Sequence, residues 1–127
     1  ACFLYFGGPS LDATADLVLV SDPWARLGES VALCDVDADG SADLVVGVPG
    51  INDGEGQVFV YKGGAALDAT PDWILDPVHS SNYFGEAVAA GFDLDGDGFE
   101  DVAAGTLDYG TRGHVRIYRG GPGFGTG

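Results

Sequence analysis

The sequence predicts an all-β protein built from a repeated unit of four short strands. Three observations predict it. The 127-residue chain repeats itself about twice, at a spacing of 56 to 58 residues. Its apolar runs are short, rich in β-branched and aromatic residues, and closed by glycine. No segment carries a capped 3.6-residue pattern of helical length, so little helix is expected.

The repeat is read directly from matched segments. Phe3-Leu4-Tyr5-Phe6-Gly7-Gly8 matches Phe59-Val60-Tyr61-Lys62-Gly63-Gly64 and Arg116-Ile117-Tyr118-Arg119-Gly120-Gly121. Leu11-Asp12-Ala13-Thr14 matches Leu67-Asp68-Ala69-Thr70, and Gly28-Glu29-Ser30-Val31-Ala32 matches Gly85-Glu86-Ala87-Val88-Ala89. Two aspartate-rich segments follow in the same phase.

In chain order, strands are expected near 2–6 and 16–21, then near 29–34, 43–48, 57–62 and 72–76, then near 86–92, 101–106 and 114–119. The run Asp43-Leu44-Val45-Val46-Gly47-Val48 is apolar without alternation, as a buried strand should be. Four short strands per repeat make the blade of a β-propeller. A two-sheet sandwich leaves the repeat unexplained. The chain divides into a partial blade of two strands at 1–22, a blade at 23–80, a second blade with three strands at 81–121, and a glycine-rich tail at 122–127.

Composition narrows the function. Hydrophobic residues make up 46%, enough for a packed core, and the 22 glycines without a Gly-X-Y period indicate many tight turns. The formal charge is −15 with five basic residues, which excludes the basic footprint that nucleic acid requires. No apolar run is long enough to span a membrane. The chain begins Ala1-Cys2-Phe3, without a Met or a signal-like start, and so reads as a processed or excised piece. Cys2 and Cys34 read as two small apolar residues rather than a disulfide framework.

Eight of the sixteen aspartates fall in two nine-residue segments, 35–43 and 93–101. Clustered carboxylates need either a cation or disorder, and the flanking strand-like runs argue against disorder. Both segments place aspartate at positions 1, 3, 5 and 9 and glycine at 6. Alternate residues of a curling chain converge, and the glycine permits a sharp turn with positive φ. The backbone carbonyl at position 7, from Ser41 or Phe99, can complete the shell. Two like charges about 4 Å apart repel by roughly 4 kcal/mol at an effective dielectric near 20, so four carboxylates would splay without a counter-ion. Oxygen donors alone select a hard cation, and an irregular shell suits calcium better than magnesium. An EF-hand needs a glutamate at position 12 and flanking helices. Here position 12 is Val46 or Ala104, inside a strand.

Together these features resemble the FG-GAP repeats of integrin α-subunit propellers and related bacterial proteins. Phe84-Gly85 matches the Phe-Gly element and Leu27-Gly28 nearly does; Gly47-Val48-Pro49 resembles the Gly-Ala-Pro element, whereas Gly105-Thr106-Leu107 departs from it. The resemblance implies two calcium sites, with ligands Asp35, Asp37, Asp39 and Asp43, then Asp93, Asp95, Asp97 and Asp101. It also implies metal that stiffens the blade hairpin, and a ring that displays loops to a protein ligand.

Other residues carry weaker signals. His79, His114, Ser30 and Ser41 lack a catalytic setting. The 121–127 segment is glycine-rich but no helix follows it, so it reads as a loop and not a phosphate cradle. Trp24 and Trp73 are packing residues or, alternatively, a sugar platform, and the in-phase Glu29 and Glu86 fit either a fold or a binding role. The leading reading is a non-enzymatic, calcium-stabilised module for extracellular recognition or adhesion. The alternatives are an accessory propeller fragment of a secreted enzyme and a lectin-like glycan binder. Two blades cannot close a ring, since propellers need typically 4–8. The remainder comes from a longer chain or from self-association, three copies giving six blades and four giving eight. Nine strands exceed the eight of two blades, so the 2–6 and 114–119 segments compete for one slot at each junction.

Overall fold

The structure is a computed structural model that describes residues 1–10, 12–77, 83–106 and 112–125. The described residues form nine strands: β1 (Cys2–Leu4), β2 (Leu17–Leu19), β3 (Val31–Cys34), β4 (Asp43–Val48), β5 (Gln57–Tyr61), β6 (Trp73–Leu75), β7 (Ala87–Phe92), β8 (Asp101–Thr106) and β9 (His114–Tyr118). Each lies within the span that the sequence predicts. Among the described residues, helix is confined to single turns at Pro23–Ala25, Ile51–Gly54 and Gly64–Ala66.

The strands form three antiparallel sheets, ordered β1-β2, β3-β4-β5-β6 and β7-β8-β9. The middle sheet is a complete four-stranded blade. The repeat aligns β1 with β5 and β9, and β2 with β6, so the first sheet is the outer half of a blade. Within the chain β1 pairs with β2 and β9 with β8.

The matched segments do matched work. Asp16 accepts from Phe6 N at 2.7 Å, and Asp72 accepts from Lys62 N at 2.7 Å, closing the turn between third and fourth strands in both units. Within those turns Asp12 accepts from Thr14 N and Asp68 from Thr70 N, each at 2.7 Å, as side-chain turns do. Gly28 N donates to Gly47 O and Gly85 N to Gly105 O, each at 3.0 Å. The departure at Gly105-Thr106 therefore preserves this bond; Leu107 lies outside the described residues.

Stacking of the sheets produces the core. On β4, Leu44, Val46 and Val48 face one cluster with Leu19, Leu27 and Tyr61, while Val45 faces another with Val36, Val58, Val60 and Val102. All six β4 residues are buried, which is why the strand reads as a continuous apolar run. Each fully buried valine contributes about 1.5–3 kcal/mol by removal from water. Cys34 is a buried free thiol, pushed up to about 12 by burial and then by Glu100; Cys2 is also free. Phe124 of the glycine-rich tail is buried in the same cluster.

Candidate metal centres

The two aspartate segments are the hairpin loops that join β3 to β4 and β7 to β8. Their backbones curl in the same way because their own side chains hold them. Asp35 accepts from Asp39 N at 3.0 Å and Gly40 N at 2.8 Å, and Asp93 accepts from Asp97 N at 3.0 Å and Gly98 N at 2.9 Å. Asp39 accepts from Ser41 N at 2.8 Å and Asp97 from Phe99 N at 3.0 Å. Gly40 and Gly98, at position 6, have φ of 88° and 92°. Position 4 is left-handed too, at Ala38 (62°) and Gly96 (78°).

The loops gather carboxylates. Asp35, Asp37 and Asp39 offer oxygens within 4.8 Å of one another, and so do Asp93, Asp95 and Asp101. Each triad could hold a metal ion, and its all-oxygen donors fit a hard divalent cation. The triads differ in one member: position 5 completes the first, position 9 the second. Asp43 and Asp97 stand outside these triads. Ser41 and Phe99 sit at position 7, their N–H groups engaged as above.

The position-9 aspartates have a second task that the spacing did not announce. Asp43 is fully buried and accepts from Val36 N at 2.9 Å and Gly63 N at 2.8 Å. Asp101 is likewise buried and accepts from Leu94 N at 2.8 Å and Gly120 N at 3.0 Å. Each clamps its own loop to the end of the third strand. A Cβ at Gly63 would stand 1.9 Å from Ala42 O, and one at Gly120 2.0 Å from Glu100 O. The glycines after each third strand are thus the floor on which the loop rests. The sequence signal was present, in the shared phase of Gly63 with Asp43 and Gly120 with Asp101. Burial pushes the Asp43 carboxyl above its ordinary value, against the pull of its two N–H donors.

A basic residue from the same strand end reaches each loop. Lys62 Nζ pairs with Asp37 and lies 3.1 Å from Asp39, while Arg119 Nε lies 2.9 Å from Asp95. The Asp39 carboxyl is held below its usual range, first by the Ser41 N–H and then by Lys62. The loops also touch across blades: Asp35 N donates to Glu100 Oε2 at 2.8 Å.

The remaining candidates separate clearly. Ser30 Oγ donates to Gly85 O at 2.9 Å, a bond between adjacent blades. His114 is exposed at the start of β9, and His79 lies outside the described residues. Trp73 packs edge-on against Phe124 with ring centroids 5.3 Å apart, whereas Trp24 is 85% exposed. Glu29 and Glu86 both address Arg26, at 2.8 and 3.9 Å.

Comparison with known proteins agrees with this geometry. The FG-GAP repeat family matches residues 27–61 and 84–125. Integrin alpha-5 of Xenopus laevis is 39% identical over 106 residues, covering 76% of this chain and 10% of the relative. Integrin alpha-M of Mus musculus is 33% identical over 106 residues, 79% of this chain and 9% of the relative. Integrin alpha-X of Homo sapiens is 35% identical over 103 residues, 76% of this chain and 8% of the relative. The chain therefore spans about a tenth of the length of these relatives. With its blades, its paired Gly28–Gly47 and Gly85–Gly105 elements and its two aspartate loops all in phase, the chain belongs to the FG-GAP repeat family.

Proposed function

We propose that this chain is a calcium-binding, non-enzymatic segment of a β-propeller that scaffolds extracellular recognition or adhesion. The observation that carries this reading is the pair of carboxylate triads in equivalent hairpin loops. Asp35, Asp37, Asp39, Asp43 and the Ser41 carbonyl would serve one ion; Asp93, Asp95, Asp97, Asp101 and the Phe99 carbonyl would serve the other. A bound ion neutralises carboxylates that otherwise repel, and ties each loop to the strand pair it joins. Sites of this kind in extracellular modules bind at roughly 10⁻⁴ to 10⁻³ M, a level met outside cells and not in cytosol. Calcium should raise the melting temperature, because it binds the folded loops and not the unfolded chain. Asp37→Ala and Asp95→Ala should each remove part of that gain. A melting temperature indifferent to calcium up to the millimolar range would overturn the metal reading.

The same reading places the chain in a larger ring that presents its loops to a protein ligand. The outward faces of both end sheets support it. Phe3 and Val18 are 58% and 39% exposed on the first sheet, Val115 and Ile117 71% and 40% on the last. Apolar faces of this kind mark association surfaces. The further blades come from a longer chain, or from three or four copies closing head to tail. Light scattering of the 127-residue chain, with calcium and with chelator, separates these. A trimer or tetramer supports closure by copies, and a stable monomer excludes it.

A further inference from the structure

We propose, resting on the calcium reading above, that the two aspartate loops bind their ions as a coupled pair, with Glu100 of the second loop as the positioning residue for Asp35 of the first. Glu100 holds position 8 of its loop, between Phe99 and Asp101. Its carboxylate reaches the other loop. Oε2 accepts from Asp35 N at 2.8 Å, across sixty-five residues of sequence. Asp35 is position 1 of the first loop, and both its carboxylate oxygens curl that loop by accepting from Asp39 N and Gly40 N. A second bond crosses at the next residue, where Gly121 N donates to Val36 O at 2.6 Å. The entry to the first loop is thus gripped from the second unit at two points, the N–H of Asp35 and the C=O of Val36. The Val36 side chain is fully buried in the cluster that contains Val102 and Phe124.

The grip belongs to the frame of the second loop. Glu100 precedes Asp101, whose carboxylate accepts from Gly120 N at 3.0 Å, and Gly121 follows directly. The Glu100 carbonyl rests on Gly120, where a Cβ would stand 2.0 Å away. Whatever orders residues 93–101 therefore orders Glu100 and Gly121 together. The repeat itself does not demand this arrangement, because position 8 of the first loop is Ala42, which has no carboxylate to extend.

Each loop has two states, splayed by repulsion among its carboxylates or curled with them together. An ion binds the curled state and shifts its loop toward it. In the second loop that shift holds Glu100 and Gly121 where Asp35 and Val36 meet them. The first loop is then fixed at its entry before its own ion arrives. Such coupling is reciprocal, so filling either loop favours the other. Direct repulsion between the two ions acts against it and is weakened by salt.

The test is a calcium titration of the 15N-labelled chain at physiological salt, with the Gly40 and Gly98 amides reporting the two loops separately. Asp95→Ala, which disables the second loop, should weaken the first about fivefold, and Asp37→Ala should weaken the second by the same factor. In Glu100→Ala the factor should fall below about twofold, the Gly121 bond carrying what remains. Glu100→Gln keeps an acceptor for Asp35 N and should retain most of the coupling. A general loss of stability would lower both affinities without changing their dependence on each other, so the factor separates positioning from a merely structural role. In chelator, the Asp35 amide should exchange faster in Glu100→Ala than in the unaltered chain or in Glu100→Gln. Loops that bind calcium independently, or a first loop that tightens when the second is disabled, overturn the coupling and leave the calcium reading standing. Undiminished coupling in Glu100→Ala overturns the role of Glu100. No calcium response at either glycine overturns the metal reading and the coupling with it.

Discussion

The ammonium of Lys62 lies 3.1 Å from the Asp39 carboxylate, and it also pairs with Asp37. A tethered cation thus rests between two carboxylates of the first loop. A divalent ion entering the loop must work against it. Lys62 is partly exposed, so the pair is weak and screened by salt, and it opposes the ion only modestly. Lys62→Gln should therefore tighten calcium binding at the first loop by about two- to fivefold. Arg119→Gln should do less at the second, because Arg119 is 75% exposed and reaches Asp95 alone. Calorimetric titration of the single variants resolves the two loops, and equal affinity before and after Lys62→Gln would refute the competition.

Asp43→Asn and Asp101→Asn should destabilise the fold by about 2–3 kcal/mol even in chelator. Each carboxylate receives two backbone N–H groups at a buried position. An amide can accept one of them and turns its NH2 against the other. Denaturant melts with metal removed isolate this clamp from any ligand role. A loss that appears in calcium but vanishes in chelator would show that the two aspartates act through the ion alone.

Ala38→Gly should stabilise the protein by about 0.5–1 kcal/mol, since a left-handed alanine costs about 1–2 kcal/mol and the added chain freedom returns part of it. Gly96→Ala should act in the opposite direction by a similar amount, about 0.5–1 kcal/mol, since the same two terms oppose each other with signs reversed. The two positions are equivalent, with φ of 62° and 78°. A pair of melts checks the sign.

Asp39 should titrate below the ordinary aspartate range in the metal-free protein, read from its side-chain carboxyl resonance. The Ser41 N–H is the larger cause and Lys62 the next, so Lys62→Gln should return the resonance only part of the way. A depressed folded value means that Asp39 supports the fold above its unfolded value, near pH 4. That support fades as pH falls through the lower, folded value. Full return to ordinary behaviour in Lys62→Gln would assign the effect to the ammonium instead.

Local pattern alone determined the nine strands, the four-stranded unit, and the two aspartate loops with their turn glycine at position 6. Strand periodicity, glycine turns and the spacing of the aspartates are properties of a few neighbouring residues, and the repeat shows each of them more than once. Tertiary structure decided the rest, because the deciding partners are distant in sequence. Asp43 meets Gly63 twenty residues on and Asp101 meets Gly120 nineteen on, so position 9 is a clamp as well as a candidate ligand. Lys62 enters the first loop only because the third strand ends beside it. Trp73 packs against Phe124, fifty-one residues on in the sequence. β4 is apolar on both faces because a different sheet stacks on each, a fact that no window of its own six residues contains.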